Sequence, residues 1–304
     1  MTSPSDLIAS IRQRLLNRSR AQAEDFSLTL SRYGIERLLY RLAQSAYADQ
    51  FVLKGALLFV VWTGQTYRPT RDLDLAGFGD SSPDRLRQIF SELCRLAVEA
   101  DGLEFEPDSI RIAEIRETQE YPGQRVRLTA RLGQAEIPLQ IDIGFGDAMT
   151  PAPAEVEYPT LLDLPAPRLK VCSKETVIAK KLQAMVSLGM INSRMKDFYD
   201  IWLMTQQFSF EGRLLAEAIR STFQRRDTEI PAVLPVALTA RFGQDREKQT
   251  LWQAFLARSR LETGQPDFAE TVSHIAEFLA PLLAALANRQ DFNPHWSPGT
   301  GWTT

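Results

Sequence analysis

Residues 68–77 read RPTRDLDLAG, and two carboxylates, Asp72 and Asp74, stand two positions apart in a segment that otherwise turns apolar. Successive side chains of a strand point to opposite faces, so Asp72 and Asp74 share one face and Leu73 and Leu75 the other. The leucines mark a core side. Two like charges on the opposite side repel unless a cation lies between them. A divalent metal meets that need. Hard oxygen ligands suit Mg2+ (or Mn2+), which takes one or two protein carboxylates and leaves its other positions to water and phosphate oxygens. The plainer alternative is an exposed edge strand whose acids pair with Arg68 and Arg71.

The flanking segments bear on that choice. Upstream, QFVLKGALLFVVWTG (50–64) predicts a strand over 51–54, a tight turn at Lys54-Gly55 and a buried helix from Ala56 to about Trp62. A glycine lets backbone approach a ligand closely, and the free N–H groups of a helix start favour an anion. Downstream, RVRLTARLGQAEIPLQIDIGFGD (125–147) alternates with period two on both sides of Gly133-Gln134, a hairpin signal. In its second arm Ile137, Leu139, Ile141 and Ile143 share one face, and Gln140 and Asp142 the other. Asp142 thus stands on a strand built like 71–75. If the two strands are neighbours, three carboxylates converge, which suits two-metal phosphoryl chemistry. A solvated strand face is the alternative for Asp142, and Asp147 reads as a cap or turn residue.

Helical spacing accounts for most of the remaining chain. SDLIASIRQRLLNRSRAQ (5–22) places Leu7, Ile8, Ile11 and Leu15 on one stripe, flanked by arginines that read as a solvated face or, more sharply, an RNA-touching one. Further helices are expected over 27–46, with Ile35, Leu38, Leu39 and Leu42 inward, and over 83–100. TPAPAEVEYPTLLDLPAPRL (150–169), with five prolines, reads as a linker. Beyond it helices are expected over 173–189, 194–207, 211–224, 246–260 and 267–288, the last kinked or restarted at Pro281. The tail NPHWSPGTGWTT (293–304) reads as poorly ordered. The expected architecture is therefore α+β, a mixed sheet with flanking helices in residues 1–160 and a helical C-terminal domain in 161–304.

Two helices of the second half carry charge on their apolar stripes. In KETVIAKKLQAMV (174–186) Ile178, Lys181, Leu182 and Met185 fall at i, i+3, i+4, i+7, so Lys181 points inward and Lys180 away. In NSRMKDFYDIWLM (192–204) Asp197, Asp200, Ile201 and Met204 share a face. An inward lysine is costly unless paired. Either Lys181 forms a buried ion pair with Asp197 or Asp200, or it meets a nucleotide phosphate with an acid orienting it.

Composition narrows the classes. The formal net charge of −3 argues against a protein coated in basic residues, while leaving room for a local patch that binds phosphates. Cys94 and Cys172, without a CxxC, read as reduced thiols of a cytosolic protein. His274 and His295 are isolated, so a histidine-based zinc site is not expected. No run of about 18 apolar residues and no signal-peptide layout occur, so neither a membrane span nor secretion is expected.

The order RYGIERLLYRLAQSAYADQFVLKGALLFVVW, RPTRDLDL, LQIDIGFGD, ETVIAKKLQAMVSLG and NSRMKDFYDIW resembles the AbiEii/AbiGii nucleotidyltransferase toxin family, the toxin halves of type IV toxin–antitoxin systems of bacteria. That family is similar to the DNA-polymerase-β-like nucleotidyltransferases, whose pattern is a glycine turn, a DxD strand and a third acid on a later strand. The resemblance implies an Mg2+-dependent transfer from a nucleoside triphosphate to an acceptor, RNA and plausibly the tRNA 3′ end, with growth arrest as outcome, a cognate antitoxin as partner, and a cytoplasmic role in phage defence. It gives Lys54, Gly55, Ala56 and Arg71 to the nucleotide, Asp72, Asp74 and Asp142 to the metal, and catalytic or phosphate-side roles to Lys181 and Asp197, with Asp200 and Arg194 as second choices. The superfamily often has Gly-Ser at the turn; here it is Gly55-Ala56, and the hydroxyl contact is missing. Two other readings stay open: a nucleotide sensor without transfer, favoured by Ala56, and a nucleotidyltransferase acting on a small molecule such as an antibiotic.

Overall fold

Period-two alternation in the first half of the chain and 3.6-residue periodicity in the second become a mixed sheet and a helical assembly. The structure, a computed structural model, describes residues 3–65, 67–115, 123–261 and 266–303. Two compact units emerge: Met1–Gly146 with Ala154–Val171, and Asp147–Pro153 with Cys172–Thr304.

The first unit runs α1 (Pro4–Ala21), α2 (Phe26–Gln44), β1 (Phe51–Lys54), α3 (Leu57–Thr63), β2 (Asp72–Gly77), α4 (Pro83–Arg95), β3 (Leu103–Ile115), β4 (Gly123–Leu132), β5 (Ala135–Phe145), β6 (Ala154–Glu157) and β7 (Arg168–Val171). The seven strands form one sheet in the order β3-β4-β5-β2-β1-β7-β6. β2 runs parallel to β5 and antiparallel to β1, so the sheet is mixed. One face is apolar: Val126, Leu128, Ile137, Leu139, Ile141 and Ile143 are all buried. Helix α2 lies on it so closely that a Cβ at Gly34 would stand 3.0 Å from Leu139. The other face carries the polar half of each alternation.

Two expectations for this unit need correction. Residues 103–115 were not expected as a strand, yet β3 is a long edge strand paired with β4. Its register shifts between Glu106 and Arg111, so Leu103 and Phe105 are buried before the bulge and Ile110 after it. Residues 107–110 of β3 stand against 128 of β4, and an odd surplus of residues breaks the alternation that marks a strand in sequence. The proline-rich stretch is no simple linker either: it supplies β7, parallel to β1, and the edge strand β6. Its prolines flank the two strands and none lies inside them, which preserves the ladder donors.

The second unit comprises α5 (Lys174–Leu188), α6 (Met195–Gln207), β8 (Phe210–Glu211), α7 (Gly212–Arg225), α8 (Ala240–Gly243), α9 (Arg246–Ser259), α10 (Phe268–Ala287), β9 (His295–Ser297) and β10 (Gly301–Thr303). Helix α10 runs unbroken through Pro281, against expectation. Pro281 is exposed, so the carbonyl that loses its partner four residues back, on exposed Glu277, faces water. Among the described residues α10 alone is long and apolar enough to cross a membrane. Its Phe268, Ile275, Phe278, Leu279 and Leu282 are buried at 1% exposure or less, the pattern of a core helix. The tail is ordered, again against expectation. Trp302 stacks on Phe278 with ring centroids 5.3 Å apart and donates to the Phe278 carbonyl, while buried Trp296 donates to the Thr205 carbonyl. Two tryptophans either side of Pro298-Gly299 were the signal for this hairpin.

Candidate active site

The polar face of the sheet is built around β2. Leu73 and Leu75 are each 1% exposed on the core side, and Asp72 and Asp74 are half-buried on the other. Asp74 lies opposite Lys54 in the antiparallel pairing with β1. The chain then turns at Gly55, which has φ +76°. A Cβ on Gly55 would overlap the Asp74 carboxylate and stand 2.7 Å from its Cβ and Cγ. Glycine is therefore required twice, for the left-handed backbone and for the close approach to Asp74. Ala56 follows as the residue preceding α3, buried and without a side-chain cap. The helix begins one residue later than expected.

The parallel pairing of β2 with β5 places Asp74 opposite Asp142 and Asp72 opposite Gln140. All three acids thus share the polar face, as the alternation predicted. They do not form a closed trio. Both oxygens of Asp142 accept from Arg125, at 2.7 and 2.6 Å, in a two-pronged pair. Among the described residues no group of three or more acids, histidines or cysteines could hold a metal ion. Asp72 and Asp74 are the neighbouring carboxylates of this face that could hold a cation. Two carboxylates held against a bare backbone turn fit a hard cation completed by water and phosphate. Arg71 is exposed and donates to Ser27 Oγ at 2.9 Å, near the start of α2. Arg125 was missed in sequence. Its signal was the alternation in RVRLTAR, which puts Arg125, Arg127 and Arg131 on the polar face.

The second unit carries its own charged cluster. Lys181 Nζ donates to Asp197 Oδ1 at 2.5 Å and to Asp200 Oδ2 at 2.9 Å. Arg194 Nε lies 2.7 Å from Asp197 Oδ2. Both aspartates are 2% exposed. Burial pushes the Asp197 carboxyl up, but Lys181 and then Arg194 outweigh it and hold the group below the usual carboxylate range. Lys180 does not face away as expected. Its side chain is as covered as that of Lys181, at 15%, and it pairs with Asp147 at 2.9 Å. Arg226 joins the same carboxylate at 3.3 Å. Asp147 is thus an ion-pair partner, not a cap, and the helical wheel alone could not show it because Asp147 lies outside the helices.

Comparison with known proteins adds the family. The family described as "Nucleotidyl transferase AbiEii toxin, Type IV TA system" matches residues 37–274, well over half of the chain. A comparison with curated proteins gives no match. Three solved structures align, each at 15% identity: a candidate nucleotidyltransferase from H. pylori, covering 83% of this chain and 92% of that one with a TM-score of 0.47; JHP933 from Helicobacter pylori, 83% and 90% with 0.46; and an antigenic nucleotidyltransferase-like protein from Paracoccidioides brasiliensis, 78% and 92% with 0.30.

Proposed function

Because the chain belongs to the AbiEii nucleotidyltransferase toxin family of type IV toxin–antitoxin systems, we propose that it transfers a nucleotide from a nucleoside triphosphate to an RNA acceptor, the 3′ end of tRNA, in a reaction dependent on Mg2+ or Mn2+. Growth arrest is the outcome in this reading, and the cognate antitoxin that the family implies restrains it. The observation that carries the reading is the closure of the Gly55 turn onto Asp74, with Asp72 on the same strand face.

In the proposed step the acceptor hydroxyl oxygen forms a bond to the α-phosphorus. The bond from that phosphorus to the bridging oxygen breaks, and pyrophosphate leaves with the electron pair. The hydroxyl proton passes to a carboxylate on that face. Asp72 and Asp74 would hold the divalent cation, which when bound would neutralise charge and polarise the phosphoryl oxygens. Gly55 lets the backbone approach the triphosphate with no side chain in the way. Lys54 and Arg71 add positive charge to the nucleotide side. Asp142, between Asp74 and Arg125 in the row, holds Arg125, and would serve as a third ligand only where Arg125 yields it.

The test is incubation with each labelled nucleoside triphosphate, Mg2+ and total cellular RNA. Label entering RNA supports the reading. Label entering a small molecule replaces the acceptor. Binding without transfer makes the protein a nucleotide sensor, the reading that Ala56 favours because its methyl group offers no hydroxyl to a phosphate.

A further inference from the structure

Four strands place one row of side chains on the polar face: Arg111 on β3 opposite Arg127 on β4, Arg127 opposite Gln140 on β5, and Gln140 opposite Asp72 on β2. Two arginines directly across an antiparallel pair repel and cost stability. Their hydrogen bonds leave that charge uncompensated. Arg111 donates to the carbonyls of Asp108 and Ile110, both at 2.9 Å, and Arg127 donates to the neutral amide of Gln140 at 3.1 Å. Among the described residues neither has a carboxylate partner. On the same strand the contrast is Arg131, which pairs with Glu106 and with Glu136. Both Arg111 and Arg127 are exposed. The chain as a whole is acidic, at −3, so this pair is a local positive feature and no part of a general basic coat.

We infer that Arg111 and Arg127 form the docking surface for the phosphodiester backbone of the acceptor strand, which runs across β3 and β4 and ends at Asp72 and Asp74. The inference rests on the proposed RNA acceptor and adds which residues hold it and from which side it enters. The geometry suits the occupant. Neighbouring strands lie about 4.8 Å apart, so Arg127 stands about 10 Å and Arg111 about 14 Å along the row from Asp72. A chain whose terminal hydroxyl reaches the carboxylate pair thus lays successive phosphates over the two arginines. A planar guanidinium suits each phosphate, and a polyanion relieves the repulsion between the two. A small polar acceptor would not reach them.

The test measures RNA binding without nucleotide, by fluorescence anisotropy of a labelled single-stranded RNA with a free 3′ hydroxyl, at several salt concentrations. The proteins are the wild type, Arg111→Gln with Arg127→Gln, and Arg131→Gln as comparator. The double variant should bind more weakly and lose about 1.4 from the slope of log affinity against log salt, at about 0.7 per phosphate contact on a single strand. Arg131→Gln should keep the slope, and all three should bind nucleoside triphosphate equally. The double variant should melt no lower than the wild type, since repulsion is removed; if it fails to fold, Arg111→Gln alone carries half the change in slope. An unchanged slope in the double variant, with wild-type RNA binding intact, overturns the docking surface alone. A wild type that binds no RNA overturns the acceptor reading and this surface with it.

Discussion

Two clusters of aspartates in this chain meet opposite demands. In the second unit Asp197 and Asp200 are sealed from water, and the structure answers with Lys181 between them and Arg194 beside Asp197. Two positive and two negative groups balance, which is what burial demands. In the first unit Asp72 and Asp74 repeat the same charge on one half-buried strand face, and the nearest backbone has been stripped of its side chain at Gly55. The protein neutralises Asp142 with Arg125, one strand over, and adds two arginines farther along the same face. A sealed cluster settles its charge internally. A half-buried carboxylate pair beside a glycine turn keeps access to something brought from outside.

The largest effect should come from breaking the sealed cluster. Lys181→Ala takes the shared ammonium from two carboxylates that are each 2% exposed, leaving Arg194 beside Asp197, and removing one partner of a buried pair costs about 3–5 kcal/mol. A denaturant melt of the apo protein should show this. The shift in melting on adding nucleotide and Mg2+ then separates roles: its loss marks a phosphate contact, and its survival makes Lys181 an ion-pair partner alone. The same cluster predicts a pH response. Asp197 is held below its ordinary value, so its contribution is complete above the unfolded value of about 3.9 and lost as pH falls through the folded one. Asp197→Asn should flatten the acid limb of stability against pH; an unchanged limb would deny that Lys181 and Arg194 prevail over burial.

The open face should behave in the reverse sense. Asp72→Asn or Asp74→Asn should lower transfer about 10²–10³-fold, the scale of losing one group that stabilises charge in the transition state. Melting should fall far less than in Lys181→Ala, because both carboxylates are half-buried and not sealed from water. A collapse in stability would move this pair into the same class as Asp197 and Asp200. Asp142→Asn sharpens the comparison within the face. The Arg125–Asp142 pair is partly exposed, at 32% and 20%, and such pairs contribute about 1 kcal/mol or less. Transfer should fall less than for Asp72→Asn. A loss as deep as that of Asp72→Asn would make Asp142 a metal ligand and Arg125 its displaceable guard.

The open face was legible in sequence because period two holds over 72–75 and 136–143, and a strand has only two faces. The same rule failed for β3, where the bulge after Glu106 swaps faces midway. It also could not show that Asp142 would be claimed by Arg125, since cross-strand partners depend on register, which a single strand does not encode. The helical half was legible in its segment boundaries and in the inward turn of Lys181. It was not legible at the tail, where Trp296 and Trp302 order a short hairpin through contacts far away in sequence.

Lys180 is the finest test of the comparison, because periodicity sends it to solvent and the fold does not. It is covered to the same degree as Lys181, yet its partner Asp147 has a second cation, Arg226, which is also anchored on Gln183 at 2.7 Å. Losing Lys180 therefore leaves Asp147 the Arg226 guanidinium, where losing Lys181 leaves Asp200 without the ammonium that bonds it. Lys180→Ala should accordingly cost about 1 kcal/mol, near the middle of ordinary single substitutions. Adding Arg226→Gln removes the second cation, and the pair of changes should cost more than their sum by about 0.5–3 kcal/mol, the range seen for residues sharing one network. Strict additivity would mean that solvent, not Arg226, takes over Asp147, and that sealing from water matters less to these clusters than their arithmetic of charge.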